Sequence, residues 1–292
     1  MISINTNNGG LFAAKAASQS QATIDSAMQR LSTGSRINNA KDDAAGQAIA
    51  TRLTAEIQGL EIASRNVADG QSLVDTAEGA LQETHTLLLR MREIGVQAAN
   101  GTLSTSDNQA LDAEFQQLVK EIDRIAQNTT WAGAALLNGD GGTVDTSETF
   151  SFQAGVGNNS GADVFSVTVK NADSTTLDVY VAQTNNGVTS NSVGLLSQSS
   201  AQTAIGLVDT AIATVSSERA NLGAVSNRMA STMANLDQIR VNLTASKGRI
   251  ADADFAAETA NLAKGQILQQ AATAMLAQAN ASKQTVLTLI QS

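Results

Sequence analysis

Leu53-Thr54-Ala55-Glu56-Ile57-Gln58-Gly59-Leu60-Glu61-Ile62-Ala63-Ser64-Arg65-Asn66-Val67 opens a run in which a large aliphatic residue returns at every seventh position. Leu53, Leu60, Val67, Val74, Leu81 and Leu88 keep that step without a slip; Ile57 joins them one turn on, and Ala63, Gly70 and Ala77 flank the same face. A second ladder, Val208, Val215, Leu222, Met229, Leu236 and Leu243, stands near the other end of the chain. A strict seven-residue repeat keeps one apolar stripe turned toward a partner helix over its whole length. At the helical rise per residue, Leu53 to Leu88 alone makes a rod of roughly 50 Å. The small residues between the aliphatic ones let two backbones approach closely. Antiparallel pairing of these two distant segments is therefore expected to form the seam of a mainly α, elongated coiled-coil or helical bundle.

Composition agrees with thin, elongated packing. Aromatic residues are 3% of the 292, and the apolar 42% is rich in Ala. Proline is absent, although average usage would place roughly 15 in a protein of this length. A chain without proline keeps its helices uninterrupted. With no cysteine there are no disulfides, thiolate metal sites or cysteine nucleophiles. A net charge of −9 argues against nonspecific nucleic-acid binding, which needs a basic face. No apolar run approaches the ~20 residues of a membrane span, so no membrane insertion is expected. Met1-Ile2-Ser3-Ile4-Asn5-Thr6-Asn7 has neither a basic flank nor an apolar core, so no cleaved signal peptide of the general secretory kind is expected.

Outside the ladders the signals are local. Residues 1–33 are rich in Ala, Ser and Gln with sparse large apolars (Ile4, Leu11, Phe12, Ile24, Met28, Leu31), a helical pattern with too little apolar surface to fold alone. Gly34 breaks it, Ser35 to Lys41 reads as a loop, and Asp42-Asp43 stand at a helix start. The long helix should run from about Ala44 to Ala99 and stop at Asn100-Gly101, with Gly101 left-handed. Ser104-Thr105-Ser106-Asp107 has the form of a capping box. The helix after it, carrying Leu111, Phe115, Leu118, Ile122 and Ile125, should fold back on the first. From Asn138 to Ser200 the sequence is rich in Gly, Ser, Thr, Asn and Asp. Two alternating runs there, Thr149–Gln153 and Val164–Val169, read as a small β-hairpin, with Leu177–Val181 as a candidate third strand. Helix returns near Ser200; Ser246-Lys247-Gly248 is a candidate hinge, and Asp252 or Asp254 a candidate cap for a final helix. That helix holds Phe255, Leu262, Ile267, Leu268, Met275, Leu276, Leu287 and Ile290 as axial contacts. The two termini, each weakly amphipathic, need each other or neighbouring molecules.

Chemistry is sparse. His85 is the single histidine, so no histidine pair or HExxH motif exists, and it reads as a structural or solvent-edge residue. Gly139-Asp140-Gly141-Gly142 lacks the GK[ST] of a phosphate loop and reads as a turn. Asp252 and Asp254 lack further oxygen ligands and read as caps. The hydroxyls of 184–200 have no His/Asp partner pattern and could carry glycans. No catalytic, cofactor or metal site is expected. Arg90, Arg92 and Glu93 form a charged patch on the long helix, and Glu114 should lie near it on the folded-back helix. It reads either as an ordinary solvated face or as a subunit contact.

At this point the chain resembles bacterial flagellin. Gln29-Arg30-Leu31-Ser32-Thr33-Gly34, Arg36-Ile37-Asn38-Asn39-Ala40-Lys41-Asp42-Asp43-Ala44-Ala45-Gly46 and Arg92-Glu93-Ile94-Gly95-Val96-Gln97-Ala98-Ala99-Asn100-Gly101 look like the family's N-terminal signatures. Ser217-Glu218-Arg219-Ala220-Asn221-Leu222-Gly223-Ala224, Asn227-Arg228, Ile250-Ala251-Asp252-Ala253-Asp254-Phe255 and Ala274-Met275-Leu276-Ala277-Gln278-Ala279-Asn280 look like its C-terminal ones. The match covers roughly 1–140 and 200–292.

The resemblance implies a structural, non-enzymatic subunit that is exported and polymerises into the extracellular flagellar filament for swimming motility. It implies that 1–43 and 250–292 form an inner axial coiled coil lining the channel. It assigns 44–140 and 200–249 to an outer helical bundle, and 141–199 to the hairpin and a solvent-facing variable segment, without the large surface domains of longer members. Implied partners are the protein itself, an export chaperone at about 252–292, filament-cap and hook-junction proteins, and Toll-like receptor 5 of a host. By motif the stacking and receptor residues fall on Arg90, Ile94 and Glu114; Ile94 stands where the family has Leu, and Leu89 where many members have Gln. Ser282-Lys283 replaces a usual Pro, and Trp131 a commoner Phe. Two other readings are a hook–filament junction protein and, from a different class, an intracellular acidic coiled-coil scaffold; an enzyme would need a catalytic cluster in 140–200, and the sequence has none.

Overall fold

A computed structural model describes residues 6–138, 147–159, 161–179 and 193–291, with side chains through 285. The described chain is mainly helical. In order it forms α1 (Asn8–Thr33), α2 (Ala44–Ala98), α3 (Thr105–Asn128), β1 (Thr130–Trp131), β2 (Ala134–Ala135), β3 (Glu148–Gln153), β4 (Val164–Val169), α4 (Gln198–Ala251) and α5 (Phe255–Gln291). It divides into two compact units, Met1–Gln58 with Arg240–Ser292, and Gly59–Ile239.

In the first unit, α1 starts where the Asn7 side chain accepts from Gly10 N–H at 3.0 Å, and it stops at Gly34, whose φ of 69° only glycine adopts cheaply. The α2 start is capped by Asp43, which accepts from Gly46 N–H at 2.8 Å, while Asp42 ties the preceding loop through Asn38 and Asn39 N–H. α1 and α5 pair antiparallel. Asn7 donates to Ala279 O and Asn280 Oδ1, Gln269 donates to Gln21 at 2.6 Å, and Arg30 meets Glu258 at 2.8 Å. Between them Gly265 lies under Ile24, where a Cβ would come within 2.8 Å of Cγ1. The candidate hinge at Gly248 is not a break: α4 continues to Ala251. The backbone leaves the helix at Asp252 because the loops pair there. Ser35 bridges to Asp252, Arg36 N–H donates to Ala251 O at 2.7 Å, and Ala253 N–H donates to Gly34 O at 3.0 Å. Of the two candidate caps, Asp254 starts α5 by accepting from Ala256 and Ala257 N–H.

In the second unit α2 and α4 run antiparallel. Gly70 lies against Met229, Glu78 pairs with Arg219, Arg92 with Asp209, and Gly95 faces Ile205, so α2 advances as α4 retreats. Between them lie Leu60, Val67, Val74, Leu81 and Leu88 from α2, with Val208, Val215, Leu222, Met229 and Leu236 from α4, all buried. Leu53, in the first unit, is also buried, and Leu243 there is half-buried.

α2 ends differently from the sequence expectation. Gly101 is not left-handed; Gly34 and Gly133 are the described glycines with positive φ. The helix is closed instead by Ala99 N–H to Gly95 O and Asn100 N–H to Gln97 O, followed by the Asn100–Leu103 turn. α3 then opens with the full capping box: Ser104 accepts from Asp107 N–H at 3.3 Å and Asp107 accepts from Ser104 N–H at 3.0 Å. Its buried face is Phe115, Val119, Ile122 and Ala126; Leu111, Leu118 and Ile125 are half-buried, so the face is rotated toward Val119 and Ala126.

β3 and β4 pair antiparallel with Thr149 opposite Thr168 and Phe152 opposite Phe165. Phe165, Val167 and Val169 face inward as the two-residue alternation requires. The candidate third strand is instead a helical turn over its described part. Asp173 caps it through Thr176 N–H, Leu177 N–H donates to Asp173 O, and Val179 N–H donates to Ser174 O. Leu177 and Val179 bury there without a strand partner; Tyr180 and Val181 lie outside the described residues, as do Gly139–Gly142 and most of 184–200. A second, unanticipated hairpin joins β1 to β2 through Ala132 and Gly133, both at positive φ, the two-residue turn that matches strand twist.

The larger hairpin seats on α2 and α4. Asn66 donates to Gln153 O at 3.0 Å, Val156 covers Gly59, the Phe152 ring lies beside Gly70, and the Arg228 guanidinium stands 4.3 Å over the Phe165 ring. Trp131 meets Phe152 edge-on at 6.4 Å.

Candidate functional site: a charged face and a sparse helix pair

The second unit carries the charged face. Arg90 lies on α2 and Glu114 on α3, and the Asn100–Leu103 turn brings them together at 2.8 Å from Nη2 and 3.1 Å from Nε to one carboxylate oxygen. Nη1 reaches Glu93 at 3.1 Å. The Glu114 hydrogen bond first, and that to Glu93 second, raise the Arg90 pKa, so the guanidinium stays charged. Both partners are exposed, so the pair is worth little as stability, while the forked guanidinium is held in one fixed geometry at the surface.

Two neighbours depart from the sequence-derived patch. Arg92 turns away and bonds Asp209 of α4 at 2.6 Å, tying the bundle rather than extending the face. Residues two apart on a helix point in different directions. Ile94 does not share the exposed face: it is 1% exposed, whereas Leu89 is 44% exposed beside Arg90. Ile94, one helical turn on from Arg90, belongs to the core and not to the exposed face. Glu218, from the Ser217-Glu218-Arg219 motif, is buried, and it accepts from Lys170 N–H at 3.3 Å at the end of β4. Sequence reading missed it because no local signal separates a buried carboxylate from a solvated one on a long helix.

The first unit carries the other feature. α1 and α5 bury only a narrow strip, chiefly Ala13, Ile24, Ala27 and Ala272. Phe12 is 75% exposed, Phe255 and Ile267 66%, and Met275 64%, with Leu11, Met28 and Leu268 also exposed. Leu262 and Leu276 are half-buried, and the side chains of Leu287 and Ile290 lie outside the described set. An open groove of about 710 Å³ runs between the helices, walled by Phe12, Ala16, Leu268 and Met275. Phe12, Leu268 and Met275 share this groove and are exposed. The members on both helices are visible as apolar residues in sequence, but only the pairing shows that they remain uncovered. The Glu258 carboxyl, nearly buried, is held below the usual glutamate range, first by the Arg30 hydrogen bond and then by Asn261, against burial and the nearby Asp254.

Among the described residues no group of three acidic or histidine side chains could hold a metal ion, and no helix is long and apolar enough to cross a membrane.

Comparison with known proteins bears on both features. The sequence matches the bacterial flagellin N-terminal helical region over residues 4–141 and the bacterial flagellin C-terminal helical region over residues 205–290. It is 43% identical over 265 residues to a flagellin of Halalkalibacterium halodurans, covering 91% of each protein. It is 40% identical over 305 residues to the flagellin of Bacillus subtilis, covering 99% of each. Flagellin A of Vibrio cholerae is 33% identical over 385 residues, covering 99% of this chain and 100% of its own. Among solved structures, a putative flagellar hook-associated protein from Vibrio parahaemolyticus overlays with a TM-score of 0.56 at 13% identity, covering 72% of this chain and 100% of that one, a likeness of fold alone. With both terminal regions matched and relatives aligned over nearly its whole length, this chain belongs to the bacterial flagellins, as a short form.

Proposed function

We propose that this flagellin assembles through the uncovered apolar sides of α1 and α5. Its family makes it a structural subunit of the extracellular flagellar filament and not an enzyme, and nothing in the comparisons favours a junction protein or an intracellular scaffold. The observation that carries the mechanism is the exposure of Phe12, Phe255, Ile267 and Met275 on a helix pair that buries little besides Ala and one Ile. Full burial of each such residue contributes about 1.5–3 kcal/mol. Neighbouring subunits that cover them offset the ordering entropy of two Ala- and Gln-rich helices.

In this reading 1–43 and 250–292 form the inner axial layer of the filament, while 44–140 and 200–249 with the hairpin segment 141–199 form the outer part. An export chaperone covers about 252–292 before assembly. Cap and hook-junction proteins meet the same ends, and the protein leaves the cell without a cleaved signal peptide. Arg90 and Glu114 serve axial stacking of subunits and recognition by Toll-like receptor 5. Deleting residues 252–292 should leave a soluble, helical monomer that forms no filaments by electron microscopy; filaments from the truncated protein would overturn the mechanism.

A further inference from the structure

We infer that Asn100 is a site of spontaneous conversion from amide to carboxylate in the folded protein, with the backbone nitrogen of Gly101 as the nucleophile. Asn100 and Gly101 are exposed in the turn between α2 and α3. The Asn100 amide oxygen, Oδ1, accepts from Thr102 N–H at 3.3 Å, and Asn100 O accepts from Leu103 N–H at 3.4 Å. The first bond closes a small ring that contains both Asn100 Cγ and the Gly101 nitrogen, and so restricts how far the two can separate. The same bond polarises the Cγ–Oδ1 carbonyl where negative charge develops during attack. Gly101 N–H makes no hydrogen bond among the described residues, and Gly101 has no side chain to obstruct the approach.

The balance is simple. The Gly101 nitrogen gives its proton to water or hydroxide and bonds to Asn100 Cγ. Nδ2 takes a proton from water as the Cγ–Nδ2 bond breaks, and ammonia leaves, forming a cyclic imide. Water then opens the ring at either carbonyl, giving aspartate or isoaspartate. The sequence has three other Asn-Gly pairs. Asn8-Gly9 is set in the helical backbone of α1, which turns the glycine nitrogen away from Cγ, and the pairs at 138–139 and 186–187 reach outside the described residues.

The product adds one negative charge to a protein of net charge −9, at the C-terminal end of α2 where the helix dipole disfavours it. Isoaspartate also lengthens the backbone in the turn that sets Glu114 opposite Arg90.

The test incubates the full-length monomer in mildly alkaline buffer, folded and in guanidinium, and follows Asn100 by peptide mapping that separates aspartate from isoaspartate. The expected result is conversion in the folded protein at a rate equal to or above that of the unfolded one. Gly101→Ala, with α-helical content unchanged by circular dichroism, should slow the folded reaction about tenfold. A folded rate below the unfolded rate would overturn the role of the turn, and a Gly101→Ala rate equal to wild type would overturn the nucleophile.

Discussion

Replacing Gly70 and Gly79 by Ala, one at a time, tests the packing of the second unit, because the two changes should have opposite signs. Both glycines lie in the interior of α2, where Ala is favoured over Gly by about 1 kcal/mol. At Gly79 a new Cβ meets nothing within 4 Å, so the full gain should appear. At Gly70 the same atom would stand 2.9 Å from Met229 Cε and 3.1 Å from the Phe152 ring. Met229 is fully buried, and Phe152 is braced by Trp131 and by the pairing of β3 with β4, so neither yields freely. Overpacking of this kind costs about 1–3 kcal/mol, which exceeds the helical gain and leaves Gly70→Ala destabilised by roughly 1 kcal/mol. For a unit of this size that corresponds to a Tm about 3 °C higher for Gly79→Ala and about 3 °C lower for Gly70→Ala. Thermal and urea unfolding of the monomer, followed by circular dichroism, measures both. Equal stabilisation by the two would mean that the hairpin, α2 and α4 do not meet at Gly70, and the reasoning would fail. Combining Gly70→Ala with Met229→Ala should recover part of the loss, a coupling that independent sites do not show.

Three further outcomes follow from the same geometry. Ser104→Ala removes one half of the α3 capping box and should cost about 1 kcal/mol in urea unfolding; it should also relax the Asp107 carboxyl, now held below its usual range first by the Ser104 side chain, toward the ordinary value by NMR titration. Glu258 has a depressed pKa, so its contribution to the α1–α5 pair is present above the ordinary glutamate range and lost as pH falls through the folded value. Filaments of wild type should therefore depolymerise in acid more steeply than those of Glu258→Gln, and parallel acid profiles would contradict the role of the Arg30 pair. Phe12→Ala and Met275→Ala should each raise the critical concentration for polymerisation, read by sedimentation, by about thirtyfold for a loss near 2 kcal/mol, without changing the unfolding of the monomer bundle.

The long helices were legible in the one-dimensional pattern because a seven-residue repeat and the absence of proline act through local geometry. The same is true of their ends at Gly34, Asp43 and Ser104, where a side chain or a positive φ meets the helix's own unpaired backbone groups. The β3–β4 hairpin and its inward face were also legible, carried by two-residue alternation, while its register came from the structure. Tertiary structure decided whatever depended on a surface supplied from far along the sequence. Arg92 belongs to the bundle because Asp209 lies 117 residues away on α4. Ile94 is interior, and Leu177 and Val179 bury in a turn instead of pairing in a strand. Gly248 stays helical because the break is placed by Ser35 and Arg36 of the opposite loop. Sequence alone also identified the terminal helices as poor in apolar residues, but a sparse helix can be covered by its partner or left open. Only the pairing of α1 with α5, which spends its small residues on close approach at Gly265 and leaves Phe12, Ile267 and Met275 outside, shows which side remains uncovered. Burial is a property of two surfaces meeting, and one stretch of sequence describes only one of them.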